Sequence, residues 1–216
     1  MATIAELLAS SLDALKQVQR GEDFMIIKNS DLSRTHIKRL VDNHFLKPII
    51  KGWYVVTDPR AMPGDSTAWF ASFWNFITRY ANERYGNEWC LSAEQSLSIY
   101  TGATTIPNQV LIRAPKGNDY MVSLIPPTSI FNLEAELPSK IDTNNLYNLN
   151  LYTLAEAIIV ATPTMYRNDA LTMRTALAMV HDSSDILKIL VDTGQTVRAG
   201  RVIGAFRNIG RTDIAN

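Results

Sequence analysis

The sequence has few of the residues from which covalent and metal-based active sites are built. Its 216 residues contain one cysteine and three histidines, so an internal disulfide and a zinc site made of thiolates are excluded. His36 and His44 are too far apart on one short segment to share a metal, and His181 lies elsewhere. No glycine-rich phosphate loop and no Gly-x-Ser-x-Gly elbow occurs. The sequence therefore predicts no catalytic residues, no metal and no cofactor.

Net charge and long apolar runs are lacking as well. The 21 basic residues equal the 21 acidic ones, so affinity for nucleic acid would have to come from local asymmetry of charge. No segment has the length and hydrophobicity of a membrane span or of a secretory leader. We therefore expect a cytoplasmic protein without a membrane partner. A hydrophobic fraction of 46% over this length predicts one large or two small globular domains.

The most informative stretch runs from Ser30 to Thr57. Ser33 has the side chain of an N-cap, and Pro48 prevents the helix from continuing far. Apolar or half-apolar residues follow the cap at helical spacing, namely Ile37, Leu40, Val41 and His44. The opposite face carries Arg34, Thr35, Lys38, Arg39 and Asp42. The pattern predicts a short helix with one apolar face and one mainly basic face.

Two β-rich runs follow this helix, from Leu46 to Ile50 and from Trp53 to Thr57, around the turn Lys51-Gly52. They predict a hairpin. A short basic helix followed directly by a hairpin is the order of a recognition helix and its wing. The segment from Lys28 to Lys51 contains six basic residues (Lys28, Arg34, Lys38, Arg39, Lys47 and Lys51) and two acidic ones (Asp31 and Asp42).

Residues 24–57 resemble the winged-helix module of the abortive-infection (AbiEi-type) antitoxin and transcriptional-regulator family. The family pattern is a helix start, L-S-R-x-x-I-x-R-L-V, then a turn and L-x-x-I-x-K-G-W-Y-V. This chain supplies Leu32-Ser33-Arg34, Ile37, Arg39-Leu40-Val41, Phe45-Leu46 and Lys51-Gly52-Trp53-Tyr54-Val55. The same arrangement is similar to the N-terminal region of large Fic-type proteins. That second likeness is the closer of the two, and it extends weakly through most of the chain, including the segments LSAEQSLSIYTG and GAFRNIGR.

The first resemblance implies a DNA-binding transcriptional regulator or antitoxin, whose second domain contacts a partner or effector. The expected DNA-binding residues are Ser33, Arg34, Thr35, Lys38, Arg39, Lys47 and Lys51. Arg34 would read a base edge in the major groove, while Lys47 and Lys51 would touch phosphates. The expected partners are double-stranded DNA and a protein such as a toxin. Homodimerisation through the first helix stays an open alternative.

The second resemblance implies a different function, that of a target-recognition or autoregulatory module of a Fic-type AMP-transferase. Such a module would act through protein contacts, and its partner would be a fused Fic domain. The Fic signature, His-Pro-Phe followed by a Gly-Asn-Gly-Arg loop, is absent, so transfer of AMP by these residues is not expected. A net charge of zero favours protein docking, and a charged helix face is often simply solvated.

The remaining pattern predicts an α+β fold: an N-terminal winged helix-turn-helix, then a mixed domain with a small antiparallel sheet, then helices. The expected domains span residues 1–58 and 66–152, with a helical segment over 153–216 packed on the second. Predicted helices cover residues 4–20, 66–85 and 92–100, the last with a capping box of Ser92 and Gln95. A strand over residues 24–27 precedes the basic helix. Strands at 88–91, 129–133 and 146–151, and a hairpin of 110–113 with 120–125, complete the sheet.

The C-terminal part is predicted to be helical. Thr153, Asn168 and Ser183 or Ser184 are the expected caps, and Gly194 is an expected stop before a last helix over residues 196–209. Two further features have competing interpretations. The aromatic residues of the 66–85 helix favour burial over stacking on bases. Cys90, between Trp89 and Leu91, is expected to be a buried structural thiol rather than a reactive one.

Overall fold

Two compact units make up the chain in a computed structural model that describes residues 3–19, 25–62, 64–144 and 147–216. The first unit consists of the described residues within 1–80, together with 123–129, and the second of those within 81–122 and 130–216. Both combine helices with small antiparallel sheets, which confirms the predicted α+β class. The expected domain boundaries near residues 58 and 152 stay a prediction.

The first unit has helices on a three-stranded sheet. Its elements are α1 (Ile4–Gln19), β1 (Ile26–Lys28), α2 (Arg34–Asp42), β2 (Leu46–Ile50), β3 (Trp53–Val56) and most of α3 (Thr67–Tyr85). The sheet order is β1-β3-β2, and both pairings are antiparallel. Pro48 lies on β2, an edge strand of the sheet, which is where sheets tolerate proline. Gly52 closes the hairpin with φ +84°, a conformation that glycine adopts without strain.

Two apolar clusters support this sheet. In one, Ile37 and Leu40 of α2 pack with Leu15 of α1 and with Ile27 and Leu46 of the sheet. In the other, aromatic rings of α3 pack edge to face with one another and with Trp53 of β3. The ring centres are 5.3 Å apart for Trp69 and Phe73, 5.4 Å for Trp69 and Phe76, and 5.6 Å for Trp53 and Phe76. Trp69, Phe73 and Phe76 are almost fully buried. The aromatic helix is therefore a core element, as the sequence favoured.

The second unit contains two sheets and a series of short helices. Its elements are β4 (Cys90–Leu91), α4 (Ala93–Tyr100), β5 (Gln109–Ala114), β6 (Tyr120–Ser123), β7 (Ser129–Glu134), β8 (Ile141–Asn144), β9 (Leu149–Tyr152), α5 (Leu154–Val160), α6 (Pro163–Asn168), α7 (Ala170–Ala178), α8 (Ser184–Thr193), α9 (Thr196–Asn208) and α10 (Thr212–Ala215). One sheet has the order β4-β5-β7-β6, and β8 pairs with β9 in the other. The helical core includes Leu97, Ile158, Leu177, Val202 and Phe206.

The predicted hairpin of residues 110–113 with 120–125 is wrong, because β7 lies between β5 and β6. Burial explains the order. Ile130 and Asn132 of β7 are completely buried, whereas Met121 of β6 is 58% exposed. The strand with the more buried side chains takes the central place, and β6 becomes an edge. The loop after β5 instead holds the end of β7, since Asp119 Oδ1 accepts a hydrogen bond from Glu134 N at 2.9 Å.

Three local predictions are corrected as well. The capping box is half formed, since Ser92 Oγ accepts a hydrogen bond from Gln95 N. The second half is missing because Ser92 N already donates to Leu111 O of β5. The Gln95 side chain instead hydrogen-bonds to the backbone of Gln109 and Leu111 in β5. Asp169, rather than Asn168, caps α7, since α6 runs through Asn168. His44 lies beyond the end of α2, exposed and with φ +61°.

Other boundaries agree or lie outside the described residues. Ser33, Thr153 and Gly194 are helix caps as expected. Strand β8 was not predicted, because its short polar sequence shows no apolar alternation. The expected strand starts at Phe24 and Leu146, and the expected helix end at Arg20, lie outside the described residues.

Gly117 provides a stability test of the unexpected sheet order. An added Cβ at this position would overlap the backbone of Leu133 in β7. We expect Gly117→Ala to lower the free energy of unfolding by about 1–3 kcal/mol, because the loop must move away from the strand. Urea denaturation followed by circular dichroism measures the change.

The matched control is Gly200→Ala in α9, where an added Cβ meets open space. Alanine favours a helix interior over glycine by up to ~1 kcal/mol, so this variant should be as stable as the parent or more stable. A Gly117→Ala protein with unchanged stability would contradict the close contact between the loop and β7.

Candidate nucleic-acid interface

The candidate interface is built on α2, which has nine residues. Such a short helix is marginal by itself, so its orientation depends on its contacts. Ser33 caps it by accepting a hydrogen bond from His36 N at 3.3 Å. Ile37 and Leu40 are 6% and 0% exposed, which places one side of the helix in the core. The residues on the opposite side of the helix are the ones that α2 presents to solvent.

A buried hydroxyl on α1 fixes that orientation. Ser11 is 0% exposed, and its Oγ donates to Leu7 O at 3.0 Å. His36 Nδ1 lies 2.9 Å from Ser11 Oγ. Arg39 NH1 lies 3.4 Å from Ser11 Oγ and 3.4 Å from Leu7 O. Sequence reasoning missed Ser11. The available signal was a small polar residue one turn from Leu7 and Leu15 on the apolar face of α1.

The predicted DNA-binding residues consequently have different surroundings. Arg39 is half-buried and directs its guanidinium to α1, so DNA contact would require it to leave these acceptors. The exposed positions are Ser33, Arg34, Thr35 and Lys38 at α2, Lys47 on β2 and Lys51 in the hairpin turn. Lys38 Nζ lies 2.8 Å from Asp42 Oδ2, with both side chains more than half exposed. An exposed pair of this kind contributes little stability and can exchange for a phosphate.

A groove of about 790 Å³ lies between α2 and the sheet. Arg34 and Lys38 line it from the helix, and Pro48 and Tyr54 line it from the hairpin. Side chains alternate along a strand, so Lys47, next to Pro48, is directed to the other face. Arg34 and Lys38 therefore line the same groove, and Lys47 is not among its lining residues.

The charge of Lys47 acts weakly on Asp65. The pKa of the Asp65 carboxyl is lowered, chiefly by the hydrogen bond from Thr67 N and to a smaller extent by the charge of Lys47. Lys51 stays exposed at the tip of the hairpin. Both hairpin lysines are thus exposed cations that can contact a phosphate.

The two acidic residues of the basic segment are also in different situations. Asp31 Oδ2 accepts from Lys28 N at 2.8 Å and pairs with Arg79 NH2 of α3 at 3.3 Å. Its side chain is 19% exposed, so it is held inside the unit. Asp42 is the acidic residue left at the groove. The exposed face of α2 therefore keeps the basic character predicted from the sequence.

The described residues outside this interface were also considered as a reactive thiol, as metal ligands and as membrane-spanning helices. Cys90 is completely buried, as expected, and burial raises the pKa of its thiol to about 12, although the nearby charge of Arg113 opposes the shift. Within the described ranges, no three His, Cys, Asp or Glu side chains are grouped as metal ligands would be. None of the described helices is both long and apolar enough to cross a membrane.

Comparison with models of known protein families finds no match for this sequence. A search of curated proteins finds no match either. The resemblance of residues 24–57 to AbiEi-type regulators therefore stays a prediction, carried by the residues quoted for it.

The burial of Cys90 predicts a thiol that is inert in the native protein. Raising a thiol pKa lowers the thiolate fraction about tenfold per unit at neutral pH, and the thiolate is the reacting form. We expect Cys90 in the folded chain to react with a disulfide reagent at pH 8 at least ~100-fold more slowly than in urea. Since the chain has one cysteine, the released chromophore reports this thiol alone. Equal rates in the two conditions would contradict its burial.

Proposed function

We propose that the chain is a DNA-binding transcriptional regulator of the antitoxin type that acts in the cytoplasm. In this proposal, α2 is the recognition helix of a winged helix and the β2–β3 hairpin is its wing. One observation carries the proposal: Arg34 and Lys38 extend from the exposed face of α2 to a groove that the hairpin borders. The apolar face and the Ser11 contacts hold the helix so that these cations face outward.

Arg34 is the residue proposed to read sequence. It occupies the first position of α2, and recognition helices commonly contact base edges with their N-terminal residues. A guanidinium can donate two parallel hydrogen bonds to O6 and N7 of guanine in the major groove. Thr35, exposed beside it, can pack its methyl group on thymine or hydrogen-bond to a base. Ser33 and the first N–H groups of the helix suit a phosphate.

The lysines are proposed to position the protein without reading sequence. Lys51 at the hairpin tip would contact a phosphate, and Lys38 would exchange Asp42 for one. Lys47 would contact DNA from the other side of the hairpin. If these three lysines neutralise phosphates, the slope of log affinity against log salt is about −3. The low net charge of the chain limits nonspecific attraction to this surface.

A second candidate function is protein docking, in which the chain is a target-recognition or autoregulatory module of a Fic-type AMP-transferase. The observation that favours it lies in the second unit, where Leu187, Val191 and Val197 are 56%, 76% and 79% exposed. These apolar side chains on α8 and α9 suit a protein partner such as a toxin or a Fic domain. The same contact is compatible with a regulator whose second unit binds its partner.

Single substitutions distinguish the proposed roles of the basic residues. We expect Arg34→Ala to cost ~1–3 kcal/mol on the preferred duplex and to relax sequence preference, because it removes a base contact. We expect Lys51→Ala to weaken binding to all duplexes alike and to reduce the salt slope by about one, because it removes a phosphate contact. Fluorescence anisotropy with preferred and scrambled duplexes over a salt series measures both effects.

Lys188→Ala is the control, since Lys188 is exposed on α8 and the substitution removes the same charge. It should leave affinity and slope unchanged. If Arg34→Ala and Lys51→Ala affect every duplex equally, the proposed separation of base reading from positioning is wrong.

A further inference from the structure

A second basic site lies in the C-terminal helices, independent of the proposed DNA interface. A cavity of about 300 Å³ opens between α6, α7 and α9. Arg174 of α7 and Arg201 of α9 line it, as do Tyr166 and Asn208. Apolar side chains, including Met173 and Leu177, form the rest of the wall. No carboxylate is among its lining residues.

Arg201 is held in place by neutral groups. Its NH1 donates to Ala161 O at 3.1 Å, and its guanidinium carbon lies 5.8 Å from the centre of the Tyr166 ring. The side chain is half-buried. A guanidinium has five N–H donors in a fixed planar fork, so one carbonyl bond leaves most of its capacity unused. Arg201 is thus oriented in advance without being neutralised.

Tyr166 supports this arrangement without adding charge. Its hydroxyl donates to Ile158 O at 2.6 Å, which fixes the ring beneath Arg201. Burial raises the pKa of the phenol to about 12, although the charge of Arg201 opposes the shift. The phenol is therefore neutral at physiological pH, and the cavity keeps the positive charge of its arginines.

Arg174 forms the other charged wall. Its NH2 donates to Asn208 Oδ1 at 3.4 Å, so it too has a neutral acceptor. Among the residues that the structure describes, neither Arg174 nor Arg201 forms an ion pair. The neighbouring carboxylate, Asp169, caps α7 by accepting from Thr172 N at 3.2 Å. Two cations at one apolar cavity thus lack a counter-charge.

We propose that this cavity binds a small organic anion. Its carboxylate or phosphate group would accept hydrogen bonds from the guanidiniums of Arg174 and Arg201, as both groups match the arginine fork. Its apolar body would pack on Ala170, Ala205 and Ile209, the lining apolar residues that keep accessible surface. The volume is at the lower end of the about 300–1,000 Å³ typical of ligand sites, which selects a compact molecule such as an aromatic acid or a phosphomonoester. The site gives the second unit an effector function.

Isothermal titration calorimetry on the full chain tests the proposal with four probes: phenyl phosphate, benzoate, inorganic phosphate and benzyl alcohol. We expect saturable binding of phenyl phosphate or benzoate, and the stronger of the two identifies the preferred anionic group. Inorganic phosphate should bind more weakly because it lacks the apolar body. Benzyl alcohol should not bind, because it lacks the charge.

Variants then assign the binding to the cavity. Arg174→Gln should weaken the preferred probe roughly tenfold to a hundredfold, since a charge-assisted hydrogen bond is lost. Arg201→Lys should also weaken it, because lysine keeps the charge but lacks the planar fork. Arg174 is exposed, so its variant should keep the thermal unfolding midpoint of the parent even if the Arg201 variant does not.

Arg207→Gln is the matched control, because Arg207 is exposed on the same helix as Arg201 and is not among the lining residues. It should bind the probe like the parent. The proposal is overturned if neither anion produces saturable heat, if benzyl alcohol binds as tightly as the anions, or if Arg207→Gln weakens binding as much as Arg174→Gln.

Discussion

The buried hydroxyl of Ser11 is the contact on which the exposed surface of α2 depends. It lies against α2 at His36 and Arg39, which are three residues apart and therefore on one side of the helix. Leu40, completely buried, fixes the same side from the core. Rotation of α2 would break these contacts, and with them made Arg34 and Lys38 lie on the side opposite His36 and Arg39. The proposed DNA surface is thus a consequence of packing on the opposite side.

Local signals made much of the first unit predictable. The N-cap at Ser33, the apolar spacing of Ile37 and Leu40, and the turn at Gly52 each act within a few residues. They predicted the helix and the hairpin where the structure has them. The environment of Arg39 was not predictable in this way, because its acceptors lie 28 and 32 residues earlier in the chain. Arg34 and Arg39 look equivalent in sequence, and only tertiary contacts distinguish them.

In the second unit, local sequence signals likewise predicted the strands but not their order in the sheet. Periodicity predicted β5, β6 and β7, but strand order depends on which strand buries more surface, and alternation alone does not rank them. Asn132 illustrates the difficulty: a polar residue at the centre of a strand is buried because Tyr85 donates a hydrogen bond to its Oδ1 at 2.8 Å. The C-terminal cavity was equally hidden, since Arg174 and Arg201 are brought together by the packing of α7 and α9.

The two basic sites use arginine differently, and this difference suits different ligands. At α2, Arg34 is exposed and free to adapt to a base edge, so its binding would be salt-sensitive. At the C-terminal cavity, Arg201 is fixed by a carbonyl and an aromatic ring, which suits a small anion of defined geometry. Zero net charge for the whole chain is compatible with both, since each site depends on local charge.

The most direct test of the DNA-binding account is fluorescence anisotropy of the full chain with duplex DNA from its own promoter, at about 50 and about 200 mM salt. The comparison protein carries Arg34→Ala and Lys38→Ala, two exposed positions whose loss leaves the Ser11 contacts intact. The account predicts binding that weakens steeply with salt and is lost in the double variant, while circular dichroism shows an unchanged fold. Absence of binding at low salt, or equal binding by the double variant, would contradict it.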